Sequence, residues 1–446
     1  MKSMKRIFSL LLVVCVLIGL PLSAKGAAES AASSTVTPVE IQILSHPVHK
    51  AITTVGNGGD VISKWVEETP AVSGVMWNTQ EIGPLHDRLF REASLNSTEV
   101  AVGFVLNTYA LPRVANLLQP LNDYLEKNPI DDFENQFSQG FVDSMTFDGK
   151  IYGIPMRAAP NTLWFNEAIF KEAGLPLRAP ETPEEFIEFA RKATFKRADG
   201  TQVYGYAFVS HYYYTEMVAF ARMWDGDFID THFNVVCNQA PMVNAMSIIR
   251  DLFVEGVIPS NVASIQHAEL QRMAEQGIVA MGFTSPGNAQ KWSGNAVLKP
   301  IVPSISPMSD AVRAKYPDGP PACGEYWAMV IPKNSAYKNE GWDLIKKLSS
   351  AEGALAMALN GNAPLRASVF NEASFAKNVP YAPVALAISK NTRIPLPAFE
   401  KSPQAMEMID DYIELSMFGK MTPQAAMDKL AQELLNMSSE LKMAAK

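Results

Sequence analysis

Residues 100–106 read VAVGFVL, an apolar run with no polar interruption. A strand with one wet face alternates apolar and polar positions, so an unbroken run predicts a strand covered on both sides, as in the parallel sheets of α/β domains. The flanking sequence agrees. Residues 39–44 alternate as a first strand, 59–68 and 85–93 read as helices, 72–77 as extended chain, and 111–117 and 121–127 as short helices. Beyond residue 200 the rhythm returns, with 204–209 extended, 242–253 helical, 278–283 and 328–331 short buried strands, and 340–348 helical. Ser349 and Glu352 suggest a capping box before a helix through Leu359. A last helix opens at Thr422-Pro423 with Met427, Leu430 and Leu434 on one face. Strands alternating with helices predict an α/β fold.

Charge and leader bound the class. Lys2, Lys5 and Arg6 precede an apolar run over 7–22 and small residues through Ala28, the pattern of a secretory signal peptide cleaved between Ala24 and Ala28. The run is short for a membrane span. Cys15 follows Leu12-Val13-Val14 rather than the small residues of a lipoprotein signal, so a free exported protein without a lipid anchor is expected. Loss of residues 1–28 moves the formal charge from −8 to −12, which leaves no basic footprint for nucleic acid. The remaining length favours two or three domains. Cys237 and Cys323 survive processing; one pair gives no disulfide framework, and a bond or two buried thiols both stay open.

Residues 149–194, GKIYGIPMRAAPNTLWFNEAIFKEAGLPLRAPETPEEFIEFARKAT, carry the most specific pattern. Ile151, Tyr152, Ile154 and Trp164-Phe165 are extended and broken by Gly153, Pro155 and Pro160, which reads as strand, crossing, strand. Thr182 can cap a helix, Pro183 suits its first position, and Glu185 can return a hydrogen bond to the cap. Phe186, Phe189, Ala190 and Ala193 then form an apolar stripe.

The arrangement resembles the crossover of the extracellular solute-binding proteins, family 1, the ABC-transporter sugar-binding group that includes maltose-binding protein. The matching elements are residues 149–155, Phe165-Asn166 and residues 182–186. Residues 242–259, 273–283, 326–334, the helix around Trp342, 362–369 and 419–430 follow in the family's order, so the resemblance spans nearly all of the chain beyond the leader. Met273 stands where the family has Phe, and Ile278 where it has Lys.

The resemblance implies a periplasmic-binding-protein-like fold of class II type: two α/β lobes joined by a multi-strand hinge, with the ligand cleft between them. Residues 29–38 would be a flexible leader, 39–156 with 303–360 the first lobe, and 160–299 with 364–446 the second. Crossings are then expected near 156–160, 299–303 and 360–364. The implied function is the substrate-binding component of an ABC importer, a monomer that takes a saccharide, oligosaccharide or polyol by lobe closure and delivers it to a membrane permease, without cofactor and without catalysis.

A sugar site needs aromatic platforms with amide, carboxylate and guanidinium partners, drawn from loops at strand ends facing the cleft. The first half of the chain offers His46, Asn78, Asn107 and Tyr109. Arg157, Asn161, Tyr212, Trp224 and Asp225 follow from the crossing and beyond it, and the resemblance adds Ser285, Asn288, Glu325, Trp327, Arg366 and Phe399. Trp77, Trp164, Trp292 and Trp342 read better as core, and Tyr212-Tyr213-Tyr214, if extended, cannot share one face. Arg366 could instead tie the lobes by an ion pair. His46-x-x-His49 lacks the companions of a metal site, and Glu184, Glu185, Glu188, Asp410 and Asp411 fall on helices. No Gly-x-Ser-x-Gly, Walker or dinucleotide motif is present. Two rivals stay open: a secreted glycoside hydrolase, and the same fold binding an anionic solute such as a sugar acid or sugar phosphate through Arg157 and Arg366.

Overall fold

The computed structural model describes residues 37–210, 213–295 and 301–443; the expected signal peptide and Tyr212 lie outside them. Every residue of Val100–Leu106 is buried. The strand lies parallel to Val39–Ser45, which is parallel in turn to Val72–Thr79, and its other edge pairs antiparallel with Cys323–Val330.

The strand Ile154–Asn166 serves two sheets. Ile154 through Asn161 is bonded antiparallel to Cys323–Val330, whereas Thr162 through Phe165 pairs with Val279–Thr284, itself parallel to Gln202–Tyr206. Ile301–Ser304 takes the edge of Leu163 through Asn166 that Cys323–Val330 vacates. The expected strand, crossing, strand is therefore one continuous element. Pro155 and Pro160 are tolerated because the first half of this strand carries a ladder on one edge only.

Two cores flank that strand. Ile41, Leu89, Val102, Phe104, Ala158, Tyr326, Trp342 and Met357 belong to one; Leu163, Trp164, Phe186, Phe220, Ile301, Cys323, Leu396 and Leu430 belong to the other. Phe375, Val379 and Tyr381 form a small third cluster built on the helix Ala351–Leu359. Core membership changes between Ala158 and Leu163, between Cys323 and Tyr326, and between Met357 and Leu396. The three junctions lie side by side, since Cys323 is opposite Asn161 and bridged to Arg393. Of the expected crossings, 156–160 lies beside the first of these changes, and residues 299 and 300 of the second lie outside the described residues. Ile301 sits in the second core, Pro303 pairs with Trp164, and Ser309 donates its amide to Met223, so the chain completes the second sheet before it returns. Residues 364–382 likewise stay with the helix Ala351–Leu359.

Local signals explain the helix that braces the long strand. Thr182 Oγ1 accepts the Glu185 amide at 3.2 Å at the start of Pro183–Lys192. The Glu185 carboxylate reaches past the cap to the Glu181 amide and holds Arg178 in a bidentate pair. The whole predicted stripe is buried, and Gly205 lets the helix close on its strand: a Cβ there would stand 1.8 Å from the Ala190 carbonyl oxygen. At the second proposed capping box Ser350, not Ser349, is the cap, while Glu352 pairs with Lys64 and Lys347 on the surface. Met273 is buried and Ile278 packs on the second core, so both departures from the family pattern are absorbed. Trp164, Trp292 and Trp342 are core, and Trp77 is half-buried. Cys237 and Cys323 are buried free thiols. Among the described residues no helix is long and apolar enough to cross a membrane.

Candidate functional site

The predicted residues separate into one patch, one cavity and several structural posts. The patch forms where the first sheet's strands end. His46 caps the helix Pro47–Thr54, its Nδ1 accepting the Val48 amide while His49 Nδ1 accepts the His46 amide, so the His-x-x-His spacing serves a helix start. His46 Nε2 then donates to Glu81 at 3.3 Å. His49 is shut in against Phe104, 4.1 Å between centroids, and Trp327, 4.7 Å. Burial first, then the charge of Arg157, hold its pKa well below the usual imidazole range, which keeps it neutral. His86 donates from Nδ1 to the Ile82 carbonyl and accepts the Leu106 amide at Nε2, and burial brings its pKa down to about 4. Tyr109 stacks on His86 at 3.8 Å, and Trp327 lies 5.7 Å away. The result is a rigid aromatic surface with Tyr109 at its open side.

Strand register continues the patch toward the second core. Arg157 is opposite Trp327, and Glu325 opposite Ala159, so Arg157, Trp327 and Glu325 share one face. The Glu325 carboxylate accepts the Tyr214 hydroxyl at 3.1 Å, and burial raises its pKa. Tyr214 and Tyr213 are buried in the helix Tyr213–Ala221, whose first turn is held by Asp410 through the Tyr214 amide at 2.7 Å. Burial pushes Asp410 up to about 7.

The cavity runs along the strand edge at residues 157–160 that Val279–Thr284 leaves uncovered. It holds about 300 Å³ and is bounded by Arg157 from the long strand, Ser285, Gly287 and Asn288 at the start of the helix Pro286–Asn295, and Asn378 and Tyr381 from the third cluster. Its walls thus come from both sides of the junction. An adjoining cavity of about 410 Å³ shares Ala158, Pro160, Ala363 and Ala385 with it and extends over Phe141 and Phe370.

The other candidates do different work. Asn107 is buried and spends its carboxamide oxygen on the Tyr326 amide. Phe399 is wholly inside the second core, not at a cleft surface, because the chain turns inward there and Ser402 closes the turn through its bond to the Phe399 amide. Arg366 is buried with all three nitrogens occupied by Ser368, the Ser349 carbonyl and the Asp131 carbonyl, so it is neither a free clamp nor an interlobe ion pair. Trp224 packs beside Phe220 on the second core. Asp225, in the left-handed region at φ 63°, is taken up by Lys315, Tyr316 and Arg393. Asn78, one residue before the end of its strand, is opposite Leu44, and Asn161 stands half-buried opposite Cys323.

The sequence over residues 99–355 matches the model of the bacterial extracellular solute-binding proteins. This chain belongs to that family. The solute-binding protein also aligns at 22% identity over 232 residues with a Brucella abortus binding protein, 51% of this chain and 53% of that one, so it spans about half the length of such curated relatives. The galactooligosaccharide-binding protein of Bacillus subtilis aligns at 22% over 174 residues, 37% of this chain and 39% of that one. Among solved structures, maltose-bound MalE3 of T. maritima superposes with a TM-score of 0.70 at 21% identity, over 90% of this chain and 100% of that one. The sugar-binding MalE of Xanthomonas citri gives 0.73 at 19%, over 90% and 98%. At these identities the likeness establishes the two-lobe fold.

Sequence reasoning passed over His86, Gly287 and Tyr381 in this solute-binding protein. His86 sits on the buried stripe of an amphipathic helix, where nothing distinguishes it from core. Tyr381 belongs to residues 373–389, whose two short helices carry no marked pattern.

Proposed function

We propose that this chain is the substrate-binding component of an ABC importer that captures a carbohydrate between two lobes and hands it unchanged to a membrane permease. The observation that carries the reading is the cavity whose walls come from both sides of the three adjacent junctions. On this reading residues 39–158 and 326–382 form the first lobe, and 163–323 and 396–441 the second. Rotation about the junctions leaves each core intact while opening or closing the cavity, so closure is a shift between two states driven by contacts made only when closed. About 300 Å³ suits a monosaccharide or polyol, and the adjoining cavity leaves room for a second unit. Ser285, Asn288 and Asn378 supply hydroxyl partners in the cavity, and the patch of Tyr109, Trp327 and Glu325 lies outside its lining. Relatives in complex with maltose, tagatose, ribitol and mannitol support a ligand in this range. The protein acts as an exported, periplasmic monomer.

A thermal-shift screen of the purified chain against sugars, polyols and sugar acids tests this, because a ligand that binds only the folded form raises the melting temperature. A hit is expected to shrink the radius of gyration in solution scattering. Product appearing on incubation would instead make it a hydrolase, and silence across the whole panel would end the carbohydrate reading.

A further inference from the structure

The interlobe cavity carries one charged side chain. Its lining includes Arg157, Ser285, Gly287, Asn288, Asn378 and Tyr381 and no carboxylate among the described residues. Arg157 makes no hydrogen bond or ion pair among them either, and its Nε is closed off from solvent without an acceptor. Burial lowers the guanidinium's pKa, and the only group pulling the other way is Tyr381. Arg157 is half-buried, with its Nε enclosed, and a partly desolvated cation without a counter-ion is costly. The wall facing it adds to the imbalance. The ten-residue helix Pro286–Asn295 opens on the cavity; Pro286 has no amide proton and the Asn288 and Ala289 amides are taken by Ser285, so the helix presents its dipole and the Gly287 amide, both of which favour negative charge. The Tyr381 hydroxyl reaches the same spot, since a Cβ on Gly287 would stand 3.3 Å from it. Three donors from three parts of the chain therefore converge on a space that offers them no acceptor charge.

We infer that the ligand is an anionic carbohydrate, a sugar or polyol bearing a carboxylate or phosphate, whose acidic group is received by Arg157, the Tyr381 hydroxyl and the Gly287 amide at the start of Pro286–Asn295. The inference rests on the carbohydrate reading and narrows it. Arg157 suits the task because its planar fork can meet a carboxylate or phosphate with two parallel bonds. Arg366, the other arginine that sequence suggested for this role, is consumed by backbone carbonyls.

Calorimetric titration of the purified chain with D-galacturonate, D-glucuronate and glucose 6-phosphate, each beside neutral D-galactose or D-glucose, decides the matter. At least one acid is expected to bind about tenfold or more tightly than its neutral parent. Arg157→Met is expected to weaken that acid about 30-fold or more and the neutral parent by no more than about threefold. Arg157→Lys, which keeps the charge and loses the fork, falls between. Which acid responds separates carboxylate from phosphate. Circular dichroism and melting temperature establish that each variant folds; should Arg157→Met fail, Tyr381→Phe and the salt dependence of the wild-type affinity carry the same comparison. Neutral sugars binding as well as the acids, or losing as much in Arg157→Met, would overturn the anionic class and leave carbohydrate capture standing. If no member of either set binds, both readings fall together.

Discussion

Arg222→Leu probes the junction between the cores. The side chain is 3% exposed and donates five hydrogen bonds: two to Asp227 Oδ1 at 2.9 and 3.0 Å, two to the carbonyls of Ala322 and Arg393 at 2.7 and 2.8 Å, and one to the Ile394 carbonyl at 2.6 Å. One residue of the second core thus grips two of the three junction segments. Breaking a buried pair by removing one partner costs about 3–5 kcal/mol when the other charge is left alone. Here Asp227 keeps Arg393 at 2.8 Å, which softens that component, but the buried Ala322 carbonyl and the half-buried carbonyls of Arg393 and Ile394 lose a charged donor worth about 1.5–3 kcal/mol each at most. Leucine restores some apolar contact. The balance is a loss of about 3–5 kcal/mol, read as the unfolding of the second lobe in urea with Trp164 and Trp292, stacked edge to face in its core, as reporters. Arg222→Lys retains the charge without the fork and is expected to lose roughly half as much. In a double-mutant cycle, Arg222→Leu with Asp227→Leu should cost less than the sum of the two. A loss under about 1 kcal/mol for Arg222→Leu, or strict additivity in the cycle, would refute the account of this residue as the junction's clamp.

Glu216 is buried without a partner for Oε2, and burial raises its pKa to about 8. The folded state therefore binds the proton more tightly than the unfolded chain, so this group's contribution is fully present below about 4.5 and is lost as pH rises from there to about 8, by at most about 1.4 kcal/mol per pH unit. Glu216→Gln should flatten that slope and stabilise the protein at pH 8 in urea unfolding; an unchanged slope counts against the burial of an unpaired carboxyl. Gly205→Ala should cost about 1–3 kcal/mol or more and lower the melting temperature, because the new methyl occupies the place of the Ala190 carbonyl; a neutral result would mean that the helix does not close on the strand as described. Thr182→Ala should cost about 1 kcal/mol through loss of the cap, with Thr182→Ser near neutral in the same unfolding assay.

Much of the fold was legible because its signals are local. An apolar run such as Val100–Leu106 can be satisfied only inside a sheet, and Thr182-Pro183 can hardly do anything but start a helix. The site was less legible. Arg157, Ser285 and Asn288 were found because they follow strands or lie at the crossing, and the structure brings them to one cavity. Arg366, Phe399 and Asp225 have the same residue types as ligands, and only their neighbours reveal them as posts: carbonyls for Arg366, core for Phe399, an ion-pair network for Asp225. Which core a connecting segment joins is hard to read from sequence for a related reason. Ile301–Ser304 and the segment through residue 382 are short and irregular in pattern, so which core they join depends on partners more than a hundred residues away.

What the sequence by itself determined is the set of elements, their order and their family, since periodicity, caps and prolines act within a few residues. Tertiary structure alone decided which charges are spent and which are spare. Arg157 and Arg366 are the same side chain to a sequence, and both sit beside prolines and small residues. One is bonded to carbonyl oxygens and the other faces a cavity lined by no carboxylate, because a charge is satisfied by whatever packing brings within about 3 Å, and packing is set by contacts that lie far apart along the chain.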